Sequence, residues 1–164
     1  MSKKSIGISQ FVSSVLLILI IVFGLIIASN FGKDIMDKIN DNIVINEALQ
    51  NMKLLNDVIQ EVGSEGEMAR RTLSVSVTNG KYEFDPYADS INFSYYMKSD
   101  LNFTGSIENI NISRDNGRIK LYIQYEKIDI VSYEQFGTGN NLVTIINEGI
   151  NTELNKPIIN ISKT

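Results

Sequence analysis

The chain has 164 residues, which is enough for one modest domain and one further segment. It contains no cysteine, histidine or tryptophan. This composition excludes disulfides and thiolate chemistry, and it removes the usual general base near neutral pH. All 19 acidic residues but only 13 of the 15 basic ones follow Gly32, so the sequence after Gly32 carries a net charge of −6. An acidic, solvated body of this kind argues against nucleic acid as a partner.

An uncharged and mostly apolar stretch runs from Ser5 to Gly32, directly after Lys3 and Lys4. About 20 helical residues cross a hydrocarbon core, so this stretch is long enough to span a membrane. A secretory signal has a shorter apolar core and ends at a small-residue cleavage site, for which only the weak Ala28-Ser29-Asn30 is present. Three interpretations are therefore compared: a discarded signal, a permanent anchor, or a helix released from a short leader. The two lysines predict a cytoplasmic N-terminus.

An amphipathic continuation of the helix is predicted for residues 33–63, which contain no proline. Gly63 predicts its end, with a turn at residues 64–66. The apolar residues at helical spacing are Ile35, Ile39, Ile43, Ile45, Ala48, Met52, Leu55, Ile59 and Val62. One interpretation of the stripe from Ile45 to Val62 is packing on the globular part of the same chain. The first half of the helix is apolar all round and must face lipid or other chains. Its representative residues are Leu16, Leu17, Leu19, Ile20, Phe23 and Ile26.

From about Arg70 the apolar period changes from helical to alternating, which predicts β-strands. Asn79-Gly80 predicts a two-residue hairpin turn, and residues 114–117 predict another. The clearest strand is expected from Arg118 to Ile128. The further strand segments contain Leu73, Val75 and Val77; Tyr82 and Phe84; Ile91, Phe93 and Tyr95; Ile110 and Ile112; residues 142–146; and residues 157–161.

The order of these elements predicts an α+β fold. A long N-terminal hydrophobic helix is expected to precede a small antiparallel β-sandwich or barrel, the head domain. The expected segments are a short segment before the helix (residues 1–7), the hydrophobic helix (8–32), the amphipathic helix (33–63) and the head (64–164).

The N-terminus carries a resemblance to a known family. Lys3-Lys4-Ser5-Ile6-Gly7 looks like a short basic leader, and Ile8-Ser9-Gln10-Phe11-Val12-Ser13 like the start of a mature uncharged helix. In this arrangement the chain resembles the archaeal type IV pilin and archaellin superfamily, whose precursors carry a class III signal peptide. The resemblance implies a long helix bearing a β-rich head, which agrees with the pattern of the residues.

The same resemblance implies a life cycle. A prepilin peptidase in the membrane would cut between Gly7 and Ile8 and leave the apolar helix on the protein. The precursor would sit in the membrane with its N-terminus in the cytoplasm. An assembly ATPase and a platform protein would then build identical subunits into a helical homopolymer at the cell surface.

Four Asn-x-Ser/Thr sequons lie in the part expected outside the cell, and they begin at Asn92, Asn102, Asn111 and Asn160. Surface filaments of the superfamily are commonly glycosylated, so the four are candidate glycosylation sites.

The sequence offers little for catalysis, and we expect a protein that is not an enzyme and has no cofactor. Glu83, Asp85 and Asp89 permit a calcium-binding loop, but a polar turn is the simpler interpretation, and no metal site is predicted. The segment 137–139 lacks the lysine of a phosphate loop.

Two function classes remain open. The first is a structural subunit of a filament, either an archaeal pilus or an archaellum-like filament, polymerising through the hydrophobic helix. The second is a single-pass anchored protein whose extracellular β-domain binds a surface ligand or a membrane partner. Only the first requires the Gly7-Ile8-Ser9 junction.

Overall fold

The computed structural model describes the backbone of residues 4–163 and the side chains of residues 11–163. The chain divides into two compact units, Met1–Ile39 and Asn40–Thr164. The predicted α+β class is confirmed, since one long helix precedes a set of mostly antiparallel strands. The elements are α1 (Lys4–Glu65), β1 (Arg70–Asp85), β2 (Ser90–Tyr96), β3 (Gly105–Ile107), β4 (Ile110–Asp115), β5 (Arg118–Gln124), β6 (Asp129–Ile130), β7 (Gln135–Asn151) and β8 (Lys156–Lys163).

The eight strands form one sheet in the order β3-β4-β5-β2-β1-β7-β8-β6. All neighbours are antiparallel except β6 and β8, which are parallel. The head that was expected as a sandwich or a barrel thus takes the form of a single sheet. A single sheet suffices because the amphipathic half of α1 covers its apolar face, the role that a second sheet has in a sandwich.

The core lies between this half of α1 and the apolar face of the sheet. The six stripe residues from Ile45 to Val62 are at most 2% exposed, so the interpretation that the stripe packs on its own domain is confirmed. Apart from Ala48, whose side chain is a single methyl group, each of these buried side chains contributes on the order of 1.5–3 kcal/mol. Their partners from the strands include Val75, Val77, Tyr82, Phe84, Ile91, Phe93, Ile119, Leu121, Ile123, Phe136, Val143, Ile145, Ile159 and Ile161.

The helix ends two residues later than predicted. Gly63 remains helical, and α1 stops at Glu65 because Gly66 adopts a φ of 95°, a left-handed conformation that terminates helices. Buried Asn147 in β7 donates from Nδ2 to the Val62 carbonyl at 3.1 Å. This bond satisfies a backbone acceptor that the last turn of a helix leaves without an intrahelical partner.

The predicted hairpin at Asn79-Gly80 is wrong, because β1 runs through both residues. Three residues of β1 stand there opposite one residue of β7, between the pairs Val77↔Gly139 and Lys81↔Gly137. Across this bulge the buried positions change from odd to even residue numbers, as Val77 and Tyr82 show. A hairpin turn can produce the same change, so the sequence pattern alone could not distinguish a bulge from a turn.

The bulge is held from the side of the helix. Glu47 of α1 accepts hydrogen bonds from the Thr78 amide at 2.7 Å and from the Thr78 hydroxyl at 2.5 Å. Asn51, one turn further along, donates to the Ser76 carbonyl at 2.7 Å. Packing of α1 on the sheet therefore also fixes the register of the longest strand pair.

The second predicted hairpin is confirmed. Asn116 and Gly117, both with positive φ, connect β4 to β5 in a two-residue turn flanked by the pair Asp115↔Arg118. The strand that was expected from Arg118 to Ile128 ends earlier, at Gln124. The short strands β3 and β6 were not predicted, since three and two residues are too few for a periodic pattern.

Replacing Gly80 by alanine should destabilise the domain by about 2–5 kcal/mol. Gly80 has a φ of 98°, and an added Cβ would lie 2.5 Å from the Phe93 ring. Urea denaturation of the full chain in detergent measures the free energy of unfolding.

Gly139→Ala is the matched control. Gly139 also has a positive φ, but an added Cβ meets nothing within 4 Å. Gly139→Ala should lower the free energy of unfolding by less, about 1–3 kcal/mol, because only backbone strain contributes. Equal losses in the two variants would contradict the argument that the Phe93 ring requires glycine at position 80.

One carboxylate of α1, that of Asp41, is completely buried. It accepts hydrogen bonds from the Tyr95 hydroxyl at 2.7 Å, from the Lys98 amide at 3.0 Å and from the Ser99 amide at 2.7 Å. Burial alone would raise the pKa of Asp41, but the hydrogen bonds from Ser99, Tyr95 and Lys98 outweigh it and lower the pKa below its usual value. Asp41 thus ties the segment after β2 to the helix as a charged acceptor.

Asp41→Ala should lower the free energy of unfolding by roughly 1–3 kcal/mol at pH 7, because three donors lose their acceptor. A carboxylate with a lowered folded-state pKa stabilises the fold above its unfolded-state pKa of about 4. This contribution is lost as the pH falls through the lower, folded-state value. The difference between wild type and Asp41→Ala should therefore shrink in urea titrations below about pH 4.

Asp57→Ala serves as the control, since Asp57 is an exposed carboxylate on the same helix. Its effect at pH 7 should stay within about 0.5 kcal/mol. If Asp41→Ala were as mild as Asp57→Ala, or if its effect persisted unchanged at the lowest pH, the role given to Asp41 would be wrong.

Candidate interaction surface

The first unit of the chain presents an apolar surface around the whole circumference of α1. Fifteen Leu, Ile, Val and Phe side chains lie between Phe11 and Phe31, and each of them is 42–70% exposed. Soluble monomers rarely expose contiguous apolar patches beyond a few hundred Å². This surface is therefore expected to be covered by something other than water.

The six residues that represent this surface in the sequence analysis are all exposed, at 49–65%. Successive helical residues are about 100° apart, so the fifteen apolar residues between Phe11 and Phe31 together point in every direction around the helix rather than along one stripe. A surface apolar all round suits lipid or several packed neighbours, whereas a single partner would require only one stripe.

The length and composition of α1 fit a membrane. Its most apolar window has a mean hydropathy of 3.1, and none of that window is buried within the structure. The chain therefore contains one helix that is long and apolar enough to cross a bilayer, as a membrane anchor or a signal sequence does.

The proposed cleavage junction lies at the start of the same helix. The backbone of Gly7 and Ile8 is part of α1. Their side chains lie outside the described range, so the junction remains a prediction from the sequence.

A second, smaller apolar strip follows the uncharged stretch. Ile35, Met36, Ile39 and Ile43 are 48–58% exposed, and the first buried apolar residue of the helix is Val44. The four-residue spacing of Ile35, Ile39 and Ile43 therefore predicted one face of a helix correctly, but it did not indicate that this face is exposed. The strip adds to the apolar surface that the described residues leave uncovered.

The four sequons differ in accessibility. Asn102 is exposed and lies between β2 and β3. Asn92 and Asn111 are half-buried strand residues that flank Tyr122 in one row across the sheet. The Asn160 amide donates to Glu148 at 2.5 Å. Asn102 is thus the most accessible of the candidate glycosylation sites, and occupancy at all four remains a prediction.

Asp85 stabilises the turn between β1 and β2, whereas Asp89 connects the end of that turn to distant parts of the sheet. Asp85 accepts from the Tyr87 amide at 2.9 Å. Asp89 accepts from the Ile130 amide at 3.0 Å and pairs with Lys156 at 3.1 Å. Among the residues that the structure describes, no three His, Cys, Asp or Glu side chains are grouped to hold a metal ion. Segment 137–139, rejected as a phosphate loop, lies within β7.

Comparison with known proteins returned no relative. No protein family matches the chain, and neither a curated protein nor a solved structure is similar to it. The fold and the apolar surface therefore carry the argument about function.

Replacing both Leu19 and Ile20 by arginine should prevent stable membrane insertion. On the insertion scale the fifteen apolar residues contribute roughly −4 to −9 kcal/mol in total, and each central arginine costs about 2.5–3.5 kcal/mol. One arginine thus leaves insertion favourable, whereas two approximately cancel it. Alkaline extraction of membranes measures the inserted fraction.

The matched control places arginine at Leu142, an apolar residue of β7 that is half exposed. The Leu142→Arg variant should remain in the membrane fraction like the wild type. Retention of the double variant in membranes would contradict insertion through residues 11–31.

Proposed function

We propose that the chain is a structural subunit of a cell-surface filament, of the archaeal pilus or archaellum-like kind. The observation that carries the proposal is that a candidate cleavage junction is followed directly by an exposed apolar helix. Gly7-Ile8-Ser9 precedes a helix that is uncharged to Gly32, and every Leu, Ile, Val and Phe from Phe11 to Phe31 is exposed. A polymerising helix needs both features.

The exposed helix supports assembly with copies of itself. Removal of some fifteen apolar side chains from water is worth on the order of 1.5–3 kcal/mol each, so the helix stays out of water at every stage. In the membrane it contacts lipid, and in a filament it would contact the same helix of other subunits. A repeating contact that does not close on itself generates a helical homopolymer.

The head is suited to the outside of such a filament because it has a core of its own. The 26 buried apolar residues of the second unit, which comprises the head and the amphipathic part of α1, all lie between Val44 and Ile161. None of residues 11–39, whose side chains the structure describes, contributes to that core. In this proposal a prepilin peptidase removes residues 1–7. An assembly ATPase and a platform protein then move the subunit from the membrane to the extracellular filament.

The second candidate function is a single-pass anchored protein that displays the same head. It is favoured by one observation, namely that α1 meets the length and hydropathy required to cross a bilayer without any processing. In that case residues 1–7 are retained, and the head binds a surface ligand or a membrane partner.

The test of the proposal is the N-terminal sequence and intact mass of native protein sheared from cell surfaces. A chain that begins at Ile8 and sediments in filaments is the expected result. Retention of residues 1–7 in a protein released only by detergent would overturn the filament proposal and support the anchor.

A pair of variants sharpens this experiment. Gly7→Leu should block the cut, so the precursor mass should persist and no filaments should form. Gly24→Leu replaces a glycine inside the helix, where an added Cβ meets nothing within 4 Å, and should leave processing intact. Normal processing and assembly of the Gly7→Leu protein would contradict the assigned junction.

A further inference from the structure

A cavity of about 460 Å³ lies beside the last turns of α1, within the second unit of the chain. Three amide side chains line it: Gln60 from α1, Asn109 from the β3–β4 turn and Gln124 from the end of β5. Tyr125, Ile128 and Pro157 add apolar surface. Its volume lies in the range of small-molecule sites.

Tyr125 lines this cavity and carries an unusual hydroxyl. It is buried and has no hydrogen-bond partner in the part of the chain that the structure describes. Buried polar atoms in native proteins nearly always have a partner. Burial, with a smaller effect of Asp57, raises the pKa of Tyr125, so the hydroxyl stays neutral and can donate as well as accept.

Two of the amides are oriented by a third amide beneath them. Buried Asn56 accepts at Oδ1 from the Gln60 amide at 3.1 Å and from the Asn109 amide at 3.0 Å. Each of these two side chains thus uses one N–H on Asn56. The carbonyl oxygen and the second N–H of each are left for a ligand, in an arrangement that the shared acceptor fixes.

We propose that this cavity binds a neutral sugar ring. A sugar presents neighbouring hydroxyls, each a donor and an acceptor, which match side-chain amides and an uncharged phenol. Its C–H faces suit the apolar surface of Ile128 and Pro157. The two charged residues of the lining, Glu126 and Lys127, are of opposite sign, so the cavity has no net charge to select an ion. The inference is independent of filament formation, because all these residues belong to the second unit of the chain, Asn40–Thr164.

Titration of the full chain in detergent with glucose, galactose, mannose and N-acetylglucosamine tests the proposal by saturation-transfer NMR and calorimetry. At least one of these sugars should bind saturably. Tyr125→Phe should weaken that binding about three- to tenfold, the range expected for one hydrogen bond. Asn109→Ala should weaken it by a similar factor.

Two matched controls separate binding from folding. Tyr82→Phe removes the hydroxyl of another buried tyrosine, which donates to the Ala48 carbonyl at 3.3 Å, so it should lower stability without changing sugar binding. Tyr125→Phe should keep the melting temperature, because the hydroxyl that it removes has no partner among residues 11–163. Gln135→Ala, at an exposed amide on β7, should alter neither property.

Three results would overturn the proposal. The first is that none of the four sugars binds saturably. The second is sugar binding that survives both Tyr125→Phe and Asn109→Ala. The third is a preference for glucuronate or for a short peptide over every neutral sugar, which would assign the cavity to another class of ligand.

Discussion

The burial of one stripe of α1 against the sheet is the interaction on which the rest of the head depends. The six stripe residues and the adjacent Val44 supply seven of the buried apolar residues, and they replace a second layer of strands. The polar residues beside the stripe then set details of the sheet: Glu47 and Asn51 hold the bulge in β1, and Asp41 holds the segment after β2. A helix that shifted along the sheet would break all of these bonds together, so helix position and strand register are coupled.

How far the sequence predicts this fold is illustrated by its two Asn-Gly pairs. Asn116-Gly117 forms a two-residue turn, whereas Asn79-Gly80 lies inside a strand. Both pairs interrupt an apolar alternation, and local propensity favours a turn at each. The difference arises from distant residues, since β7 pairs with β1 on both sides of Gly80 and the Phe93 ring occupies the space beside it. The helical stripe, in contrast, was predictable because its 3.6-residue period depends on no distant partner.

The same distinction applies to the functional surfaces. The exposed helix could be predicted because an uncharged, mostly apolar stretch from Ser5 to Gly32 has few possible surroundings. The buried carboxylate of Asp41 could not, because it lies beside the stripe in the pattern and is covered only once residues 95–99 fold over it. The cavity at Tyr125 likewise combines α1, the β3–β4 turn and β5. Gln60 lies near the end of α1 and Asn109 lies in a turn about fifty residues later. Nothing in a single sequence indicates that these two amides come together.

The apolar half of α1 favours any environment other than water, but its hydrophobicity does not discriminate between lipid and other helices. Lipid tails are about as apolar as leucine, so exchanging one environment for the other yields little free energy. Direction and specificity of any assembly must then come from the heads. Residues 33–164 carry a net charge of −6, so copies packed side by side in the proposed filament would repel one another unless opposite charges met locally. The sheet offers such a place, because Lys81 and Lys120 flank Ser94 in one row across β1, β2 and β5. Screening at physiological salt confines the repulsion to roughly 8 Å, so a few paired side chains at the contact suffice to set how copies align.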